Sequence, residues 1–180
     1  MAKKTLKADL SISSIRNLQK ELEKYRDSLT YKCELLVKRL AEAGIKVAET
    51  NIGKSPLGKY VAIKTEITEE QAGCKAILIA TGETFEHDGY SPFNSLLAIE
   101  FGSGIKYNSE ENPKAPDLGF GVGTFPDQTH AFDKNGWWFW SEEKQAWIHS
   151  YGVKATMPMY QASLEIAENV VKIAKQVFGK

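Results

Sequence analysis

The first long pattern in the chain is a stripe of apolar residues spaced three or four positions apart. Its members are Ile12, Ile15, Leu18, Leu22, Tyr25, Leu29, Cys33, Leu36, Leu40, Ala43 and Val47. This spacing places the apolar side chains on one face of a helix and leaves charged residues on the other. The pattern predicts a helix over about residues 12–51, roughly 60 Å long at about 1.5 Å per residue. Because a compact domain of this size needs no helix of that length, we expect either a bend near Asp27 and Ser28 or a projecting helix.

Two pairs of apolar segments farther along the chain predict hairpins. Residues 59–67 alternate between apolar and polar side chains, and residues 74–81 are more continuously apolar, as in a central strand. Residues 137–140 and 146–150 are rich in aromatic side chains and flank a polar turn. We therefore expect an antiparallel pair in each of these two places.

The chain ends in a second amphipathic segment, which predicts a helix over about residues 157–178. Thr156 is the expected N-cap, and Pro158 lies in the first turn, where proline is favoured. The order of elements is typical of a single α+β domain covering residues 1–180. In it, the long N-terminal helix and the C-terminal helix pack on a small, mainly antiparallel β-sheet formed by about residues 59–81 and 137–150.

A glycine-rich loop over about residues 102–136 separates the two hairpins and shows no hydrophobic period. Loops of this length inside a compact domain are usually functional or disordered until bound. We expect this loop to be mobile in the isolated protein and to become ordered against a neighbouring molecule.

The charge balance narrows the class of protein. The 180 residues carry 23 basic and 23 acidic side chains, so no excess positive field favours nucleic acid or an anionic membrane.

The N-terminus lacks the apolar core of a signal peptide, and no run of residues has the length and apolarity of a membrane span. Cys33 and Cys74 lie far apart without CxxC spacing, which favours two buried, reduced thiols.

One short motif resembles a nucleotide-binding loop. Residues 48–55 read AETNIGKS, which fits the loose pattern that ends in Gly-Lys-Ser. A phosphate loop needs a helix after it, whereas this segment lies at the end of the first predicted helix, with Gly53 as the expected C′ residue. Lys54 would lie beside helix carbonyl groups, where a phosphate is unfavourable. We therefore predict no nucleotide binding and no cofactor.

The residues that carry most catalytic and metal chemistry also lack the required spacing. The three histidines have no partner at a metal-ligand spacing. Ser103 lies between Gly102 and Gly104, but a nucleophile elbow places its glycines two residues away on each side. Glu100 could serve as a general base, yet no partner carboxylate can be assigned to it. The sequence thus predicts no catalytic residue and no metal site.

Four tryptophans lie within eleven residues: Trp137, Trp138, Trp140 and Trp147. Strand alternation places Trp138 and Trp140 on one face of the hairpin, with Trp137 and Phe139 on the other. Three interpretations stay open: a core, an interface with a subunit or partner, or a platform on which a ligand stacks.

Several motifs together resemble a known family. Residues 97–104 read LAIEFGSG, which resembles the EFGTG signature of tail-completion proteins of tailed bacteriophages, with Ser103 in place of Thr. The order of the following segments is also similar: the glycine-rich loop, GWWF at residues 136–139, and YGVKA at residues 151–155. Pro158 then opens the last helix with PMYQA, similar to a Pro-Phe-Met-x-x-Ala segment in that family. The resemblance covers the chain from the long helix onward.

The resemblance implies a non-enzymatic, structural virion protein. Such a protein is a ring-forming subunit of the head–tail joint or neck, also described as a minor capsid or tail component. Its partners would be further copies of itself, with six-fold symmetry as one option, the phage connector or stopper, and tail-tube or tail-terminator proteins. DNA would pass through the ring without specific contacts, and no membrane is implied. Synthesis would take place in the cytoplasm of the host bacterium.

Eight residues are candidates for structural or interface roles in such an assembly. They are Glu100, Phe101, Gly102, Gly104, Trp137, Trp138, Trp140 and Pro158. We expect Gly102 and Gly104 to adopt positive φ, Phe101 to anchor the turn in the core, and Glu100 to accept backbone N–H bonds locally or to pair across a subunit boundary. An alternative function is a small carbohydrate-binding or hydrolytic protein that uses the tryptophan cluster as a stacking platform.

Overall fold

A computed structural model describes residues 9, 11–70, 73–87, 90–110, 112–123, 128 and 130–179. Within these residues the chain has the expected α+β architecture, in which the long N-terminal helix and the C-terminal helix pack together and on small antiparallel sheets. The helices are α1 (Ile12–Ile52), α2 (Ser95–Phe101) and α3 (Pro158–Phe178), with short 3₁₀ helices at Pro56–Tyr60 and Pro116–Leu118. The strands are β1 (Val61–Glu70), β2 (Gly73–Gly82), β3 (Thr84–His87), β4 (Tyr90–Asn94), β5 (Trp137–Ser141) and β6 (Ala146–Ser150).

Helix α1 runs without interruption over 41 residues, which confirms the predicted long helix. The Ser11 side chain accepts a hydrogen bond from the Ser14 N–H and caps its N-terminus. Gly53 follows the helix as its C-cap, one position before the expected C′ site, and has a right-handed conformation with φ of −64°. The buried residues of α1 all lie in its second half, from Ala41 to Ile52. The first half projects with an exposed apolar stripe.

Small residues allow α1 and α3 to pack closely. Ala48 on α1 and Ala162 on α3 are fully buried. A methyl group added at Gly44 would lie 2.6 Å from Cδ1 of Ile166 on α3 and 3.5 Å from the Leu78 side chain on β2. Gly44 therefore marks a point where α1, α3 and the first hairpin meet, and a larger side chain there would force these elements apart.

The strands form three separate two-stranded sheets within the described residues, instead of the single sheet expected. Strands β1 and β2 pair antiparallel from Val61 opposite Gly82 to Glu70 opposite Gly73. Strands β3 and β4 form a second pair, and β5 and β6 form a third. Apolar alternation predicts which face of a strand is buried, but it does not specify which strands share a ladder. The two predicted hairpins are thus confirmed, whereas their union in one sheet is wrong.

Helix α2 lies between the first hairpin and the glycine-rich loop. The Asn94 side chain accepts hydrogen bonds from the N–H groups of Leu96 and Leu97 at 3.0 and 3.1 Å, which starts the helix. The Ser95 hydroxyl donates to the Tyr60 carbonyl at 3.0 Å and ties α2 to the 3₁₀ helix before β1. In the part of the chain that the structure describes, the helices are too short or too polar to cross a membrane.

Candidate functional site

The segment after α2 turns sharply through two glycines. Gly102 has φ of +81° and Gly104 has φ of +80°, which confirms the predicted positive φ at both positions. Space is also limited, because a Cβ at Gly102 would lie 2.5 Å from Cγ of Asn108. A Cβ at Gly104 would lie 2.8 Å from the Tyr151 carbonyl oxygen and 3.2 Å from the Trp137 ring. Both positions therefore require glycine for conformation and for close packing.

This turn joins three distant parts of the chain. Ser103 and Val153 exchange two backbone hydrogen bonds, at 2.9 and 2.7 Å, in a short antiparallel bridge. The Gly104 N–H donates to the Gly123 carbonyl at 2.8 Å, and the Ile105 N–H donates to the Ala131 carbonyl at 3.0 Å. We call residues 99–104, together with Asn108, Asn112 and residues 153–160, the Glu100 hub.

The Glu100 carboxylate caps the N-terminus of α3 from a separate helix. Its Oε2 accepts a hydrogen bond from the Met159 N–H at 2.8 Å, and its Oε1 accepts one from the Tyr160 N–H at 3.0 Å. The first N–H groups of a helix lack intrahelical partners and carry partial positive charge, so a carboxylate stabilises them. Pro158 occupies the first helical position, which confirms its predicted place in the first turn, and its side chain is buried.

The expected N-cap of α3, Thr156, is not its cap. The N-cap position is Met157, which has φ of +50° and makes no side-chain capping bond. The Thr156 N–H donates to the Ile99 carbonyl at 2.8 Å, and the Met157 N–H donates to the same oxygen at 3.1 Å. These bonds hold the chain before α3 against α2. Because neither Thr156 nor Met157 caps the helix with its side chain, Glu100 does so.

Burial changes the chemistry of Glu100. The side chain is 7% exposed, and desolvation raises the pKa of its carboxyl group above the usual range. The hydrogen bonds from Met159, Tyr160 and Asn112 oppose this effect by stabilising the ionised form. Of the two roles expected for Glu100, the structure shows the local one, because the carboxylate accepts backbone N–H bonds inside its own chain.

Two buried asparagines complete the hub, and the sequence did not indicate either of them. Asn112 donates from Nδ2 to Glu100 Oε1 at 2.9 Å. Asn108 donates from Nδ2 to the carbonyl groups of Gly104 and Val153 at 2.7 and 2.9 Å, and its Oδ1 accepts from the Ala155 N–H at 2.8 Å. Asparagine is common in exposed turns, so its type alone carries no sign of burial.

The glycine-rich loop has anchors within its own chain. Phe101 is buried and meets Phe120 of the loop edge to face, with ring centroids 4.7 Å apart. The Ser103 hydroxyl donates to Oε1 of Gln128 at 2.8 Å, and Ala115 and Ala131 are buried. The expected core role of Phe101 is confirmed. The loop itself is not structureless, because these contacts fasten its described part to the hub.

Strands β5 and β6 form the aromatic hairpin, residues 137–150. Trp138 lies opposite His149 with ring centroids 4.9 Å apart, and Trp140 lies opposite Trp147 at 5.9 Å. This register confirms the predicted alternation of faces. Trp138 is 62% exposed and Trp147 is 59% exposed, while Phe139 on the other face is also exposed.

The hairpin joins the body mainly at its base. The Trp137 ring lies over Gly104 and stacks near His130, with ring centroids 6.1 Å apart. At the turn, Glu143 forms an exposed ion pair of 3.8 Å with Lys59, and such pairs contribute little to stability. Trp137 and Trp140 are half-buried, so the structure shows no tryptophan here that belongs fully to the core.

The eight candidate residues therefore divide into two groups. The hub brings together Glu100, Phe101, Gly102, Gly104 and Pro158. Trp137 touches its edge, whereas Trp138 and Trp140 lie on the opposite face of the hairpin. Trp147 belongs with this second group, because it packs across from Trp140.

The nucleotide-like motif has the expected placement. Lys54 follows the C-terminal end of α1, and its Nζ donates to the Asn51 side chain at 2.8 Å. Among the residues described, no group of three or more His, Cys, Asp or Glu side chains could hold a metal ion.

In comparisons with known proteins, the chain matches no family model, no curated protein and no solved structure. The functional argument consequently depends on the sequence motifs and on the geometry of the hub and the hairpin.

Proposed function

We propose that the protein is a structural, non-enzymatic virion subunit that forms a ring at the head–tail joint of a tailed bacteriophage or prophage. The motif order from LAIEFGSG to the last helix supports this proposal. Its site of action is the assembled particle, after synthesis in the bacterial cytoplasm. Its neighbours are other copies of the chain, the connector or stopper, and tail-tube or tail-terminator proteins, with DNA passing through the ring.

The observation that carries the proposal is the exposure of the aromatic hairpin. Trp138 and Trp147 are more than half exposed on one face, and Phe139 is exposed on the other. Large aromatic side chains dominate the energetics of protein interfaces, and contiguous exposed apolar patches mark such surfaces. A ring subunit contacts two neighbours and the components above and below it, so it needs apolar surface of this kind.

The hub supports the same function by holding the hairpin in one orientation. The chain leaving β6 is fastened at Val153 by two backbone hydrogen bonds to Ser103. The chain entering β5 is fastened by Trp137 against Gly104. Aromatic anchors presented on a rigid base lose less conformational entropy when they bind a partner. In this proposal the hub holds the interface residues of the hairpin in place. Glu100 contributes by capping the N-terminus of α3.

The test is particle assembly in the phage or prophage that encodes the chain. Deleting the gene should leave DNA-filled heads and free tails that do not join, counted by electron microscopy. The double change Trp138→Ala with Trp147→Ala should reduce joined particles at least tenfold while the purified chain melts at nearly the same temperature. Phe132→Ala is the matched control, because Phe132 is an exposed aromatic residue outside the hairpin. Normal numbers of joined particles after deletion of the gene would contradict the proposal.

A second candidate function, carbohydrate binding or hydrolysis, is favoured by the same exposed rings. Trp138, Trp140 and Trp147 share one face of the hairpin and could stack a sugar chain. Calorimetry with soluble oligosaccharides tests it. Saturable binding that is lost in Trp147→Ala, together with normal particle joining, would favour this function over the structural one.

A further inference from the structure

The first half of α1, residues 12–29, has a seam of apolar residues at coiled-coil spacing. Ile15, Leu22 and Leu29 lie seven residues apart, and Leu18 and Tyr25 lie between them, also seven apart. Alternating steps of three and four residues are the a and d positions of a heptad repeat. We call this segment the projecting half of α1. Its seam therefore has the form that pairs with another helix.

Most of this seam is exposed in the described structure, although Leu18 is half-buried. Leu22 is 51% exposed and Tyr25 is 61% exposed, and Ile15 is also exposed. Contact with the first hairpin is seen just beyond the segment, where the Cys74 thiol approaches the Thr30 carbonyl at 3.8 Å. Most helical stability in proteins comes from packing of an apolar face, so an uncovered seam of this length indicates a missing partner.

The heptad spacing is interrupted near the point where the rest of the protein begins to contact α1. Two consecutive steps of four residues, from Tyr25 to Leu29 to Cys33, interrupt the alternation of three and four. Such a stutter locally unwinds a coiled coil, so strict heptad pairing ends near this point. Beyond it, the members of the stripe, such as Leu36, Leu40 and Val47, are half-buried, and the buried residues Ala41, Gly44 and Ala48 lie beside them on the helix. The exposed heptad seam thus ends where the rest of the protein begins to cover the apolar stripe.

Charges beside the seam favour a second copy in parallel orientation as the partner. With Ile15 at position a, Glu21 occupies position g and Arg26 the next position e. In a parallel pair, the g residue of one helix lies beside the following e residue of the other helix. Glu21 of each copy would therefore attract Arg26 of the other copy, which gives two such pairs by symmetry. An antiparallel pair would place Glu21 opposite serine or another Glu21.

The ion pairs that these two charges form with Lys24 and Asp27 on their own helix would not prevent the pairing. Glu21 lies 3.5 Å from Lys24, and Arg26 lies 3.0 Å from Asp27, and the side chains in both pairs are exposed or half-exposed. Exposed ion pairs of this type contribute little and rearrange readily.

We infer that the projecting half of α1 packs in parallel against the same segment of a second copy of this chain. The segment spans 18 residues, about 27 Å at about 1.5 Å per residue. The segment belongs to the same helix as the buried second half of α1, so helix formation does not have to be nucleated when the two copies pair. Cyclic symmetry makes equivalent helices along the ring axis parallel, so the pairing is compatible with a ring but does not depend on the phage assignment.

Sedimentation equilibrium on the full chain, from low micromolar to the highest soluble concentration, tests the pairing. Leu22→Glu should weaken self-association at least about a hundredfold, because it puts a charge into the seam. Val171→Glu is the matched control, since Val171 is an exposed apolar residue on α3. Both variants should keep the melting temperature and helical content of the unassociated chain. A wild-type chain that stays monomeric throughout, or a Leu22→Glu variant that associates as tightly as Val171→Glu, would overturn the inference.

Charge reversal tests the parallel orientation. Glu21→Arg alone and Arg26→Glu alone should each weaken association about tenfold, because each creates two like-charge pairs. An equal mixture of the two variants should recover wild-type affinity. Lys20→Glu, at the outward f position, is the control and should change little. If the single reversals leave association unchanged, the parallel arrangement is wrong. None of these outcomes bears on the count of joined particles, so the proposed function stands or fails separately.

Discussion

The Glu100 hub and the aromatic hairpin use polar and apolar side chains in opposite ways. The hub buries a carboxylate and two amides and gives each of them hydrogen-bond partners inside the chain. The hairpin leaves tryptophan and phenylalanine rings in water. Buried polar groups whose hydrogen bonds are all satisfied favour one specific arrangement of the chain. Exposure of aromatic rings to water is unfavourable, so their burial against a partner would be stabilising. The first region defines the shape of the isolated chain, and the second is suited to an interaction.

The largest effect should follow from removing the aromatic ring of the hub. Phe101→Ala should lower the free energy of unfolding by about 3–5 kcal/mol, because a buried ring leaves a cavity against Phe120. Urea unfolding followed by circular dichroism measures this. A loss under about 1 kcal/mol would show that the hub is not the packed region described above.

Replacing the capping carboxylate should have the next largest effect. Glu100→Gln keeps the shape of the side chain but leaves one acceptor oxygen for the N–H groups of Met159 and Tyr160. A buried donor without a partner costs about 1–3 kcal/mol, so we expect a loss in that range. Glu168→Gln, on an exposed part of α3, is the control and should change stability by less than about 0.5 kcal/mol. Equal effects of the two changes would argue against the capping role.

The pH dependence of stability sharpens the same point. Desolvation raises the pKa of Glu100 in the folded chain above its ordinary value of 4.5, so the folded chain binds this proton more readily than the unfolded chain. The stabilisation from this group is therefore complete below pH 4.5 and is lost as the pH rises through the folded pKa. The stability difference between wild type and Glu100→Gln should fall over that window. Denaturant titrations at several pH values would show this, and a difference that grows with pH would refute it.

The smallest effect on the isolated chain should come from the hairpin. Trp138→Ala should change the free energy of unfolding by less than about 1 kcal/mol, because the ring is mostly in water and packs on His149. The matched comparison is Phe101→Ala, an aromatic truncation in the hub. Thermal melting of both variants measures the contrast. Similar losses for the two would mean that the hairpin is part of the core, and the contrast between the regions would disappear.

Local chemistry made several features predictable from the sequence alone. The periodicity of the apolar residues predicted α1 over 12–51, and the helix runs over Ile12–Ile52. Alternation predicted the faces of the aromatic hairpin, since side chains of a strand point to opposite sides in turn. Gly102 and Gly104 were predictable as positive-φ positions because only glycine adopts them freely. Each of these features depends on residues that are close in sequence.

Partners that are distant in sequence were decided by the tertiary structure. Glu100 caps a helix that begins 58 residues later at Pro158, and Thr156, the local candidate, turns toward Ile99 instead. Asn108 and Asn112 are buried only because the loop folds back on α2 and on the chain before α3. The three hairpins stay separate because ladder pairing depends on where each strand lies, and apolar alternation carries no information on that. The sequence by itself determined the two long helices and two of the three hairpins, because each depends on a local pattern. The tertiary structure decided which residues of α1 are buried and which hydrogen-bond partners meet, because both depend on distance in space.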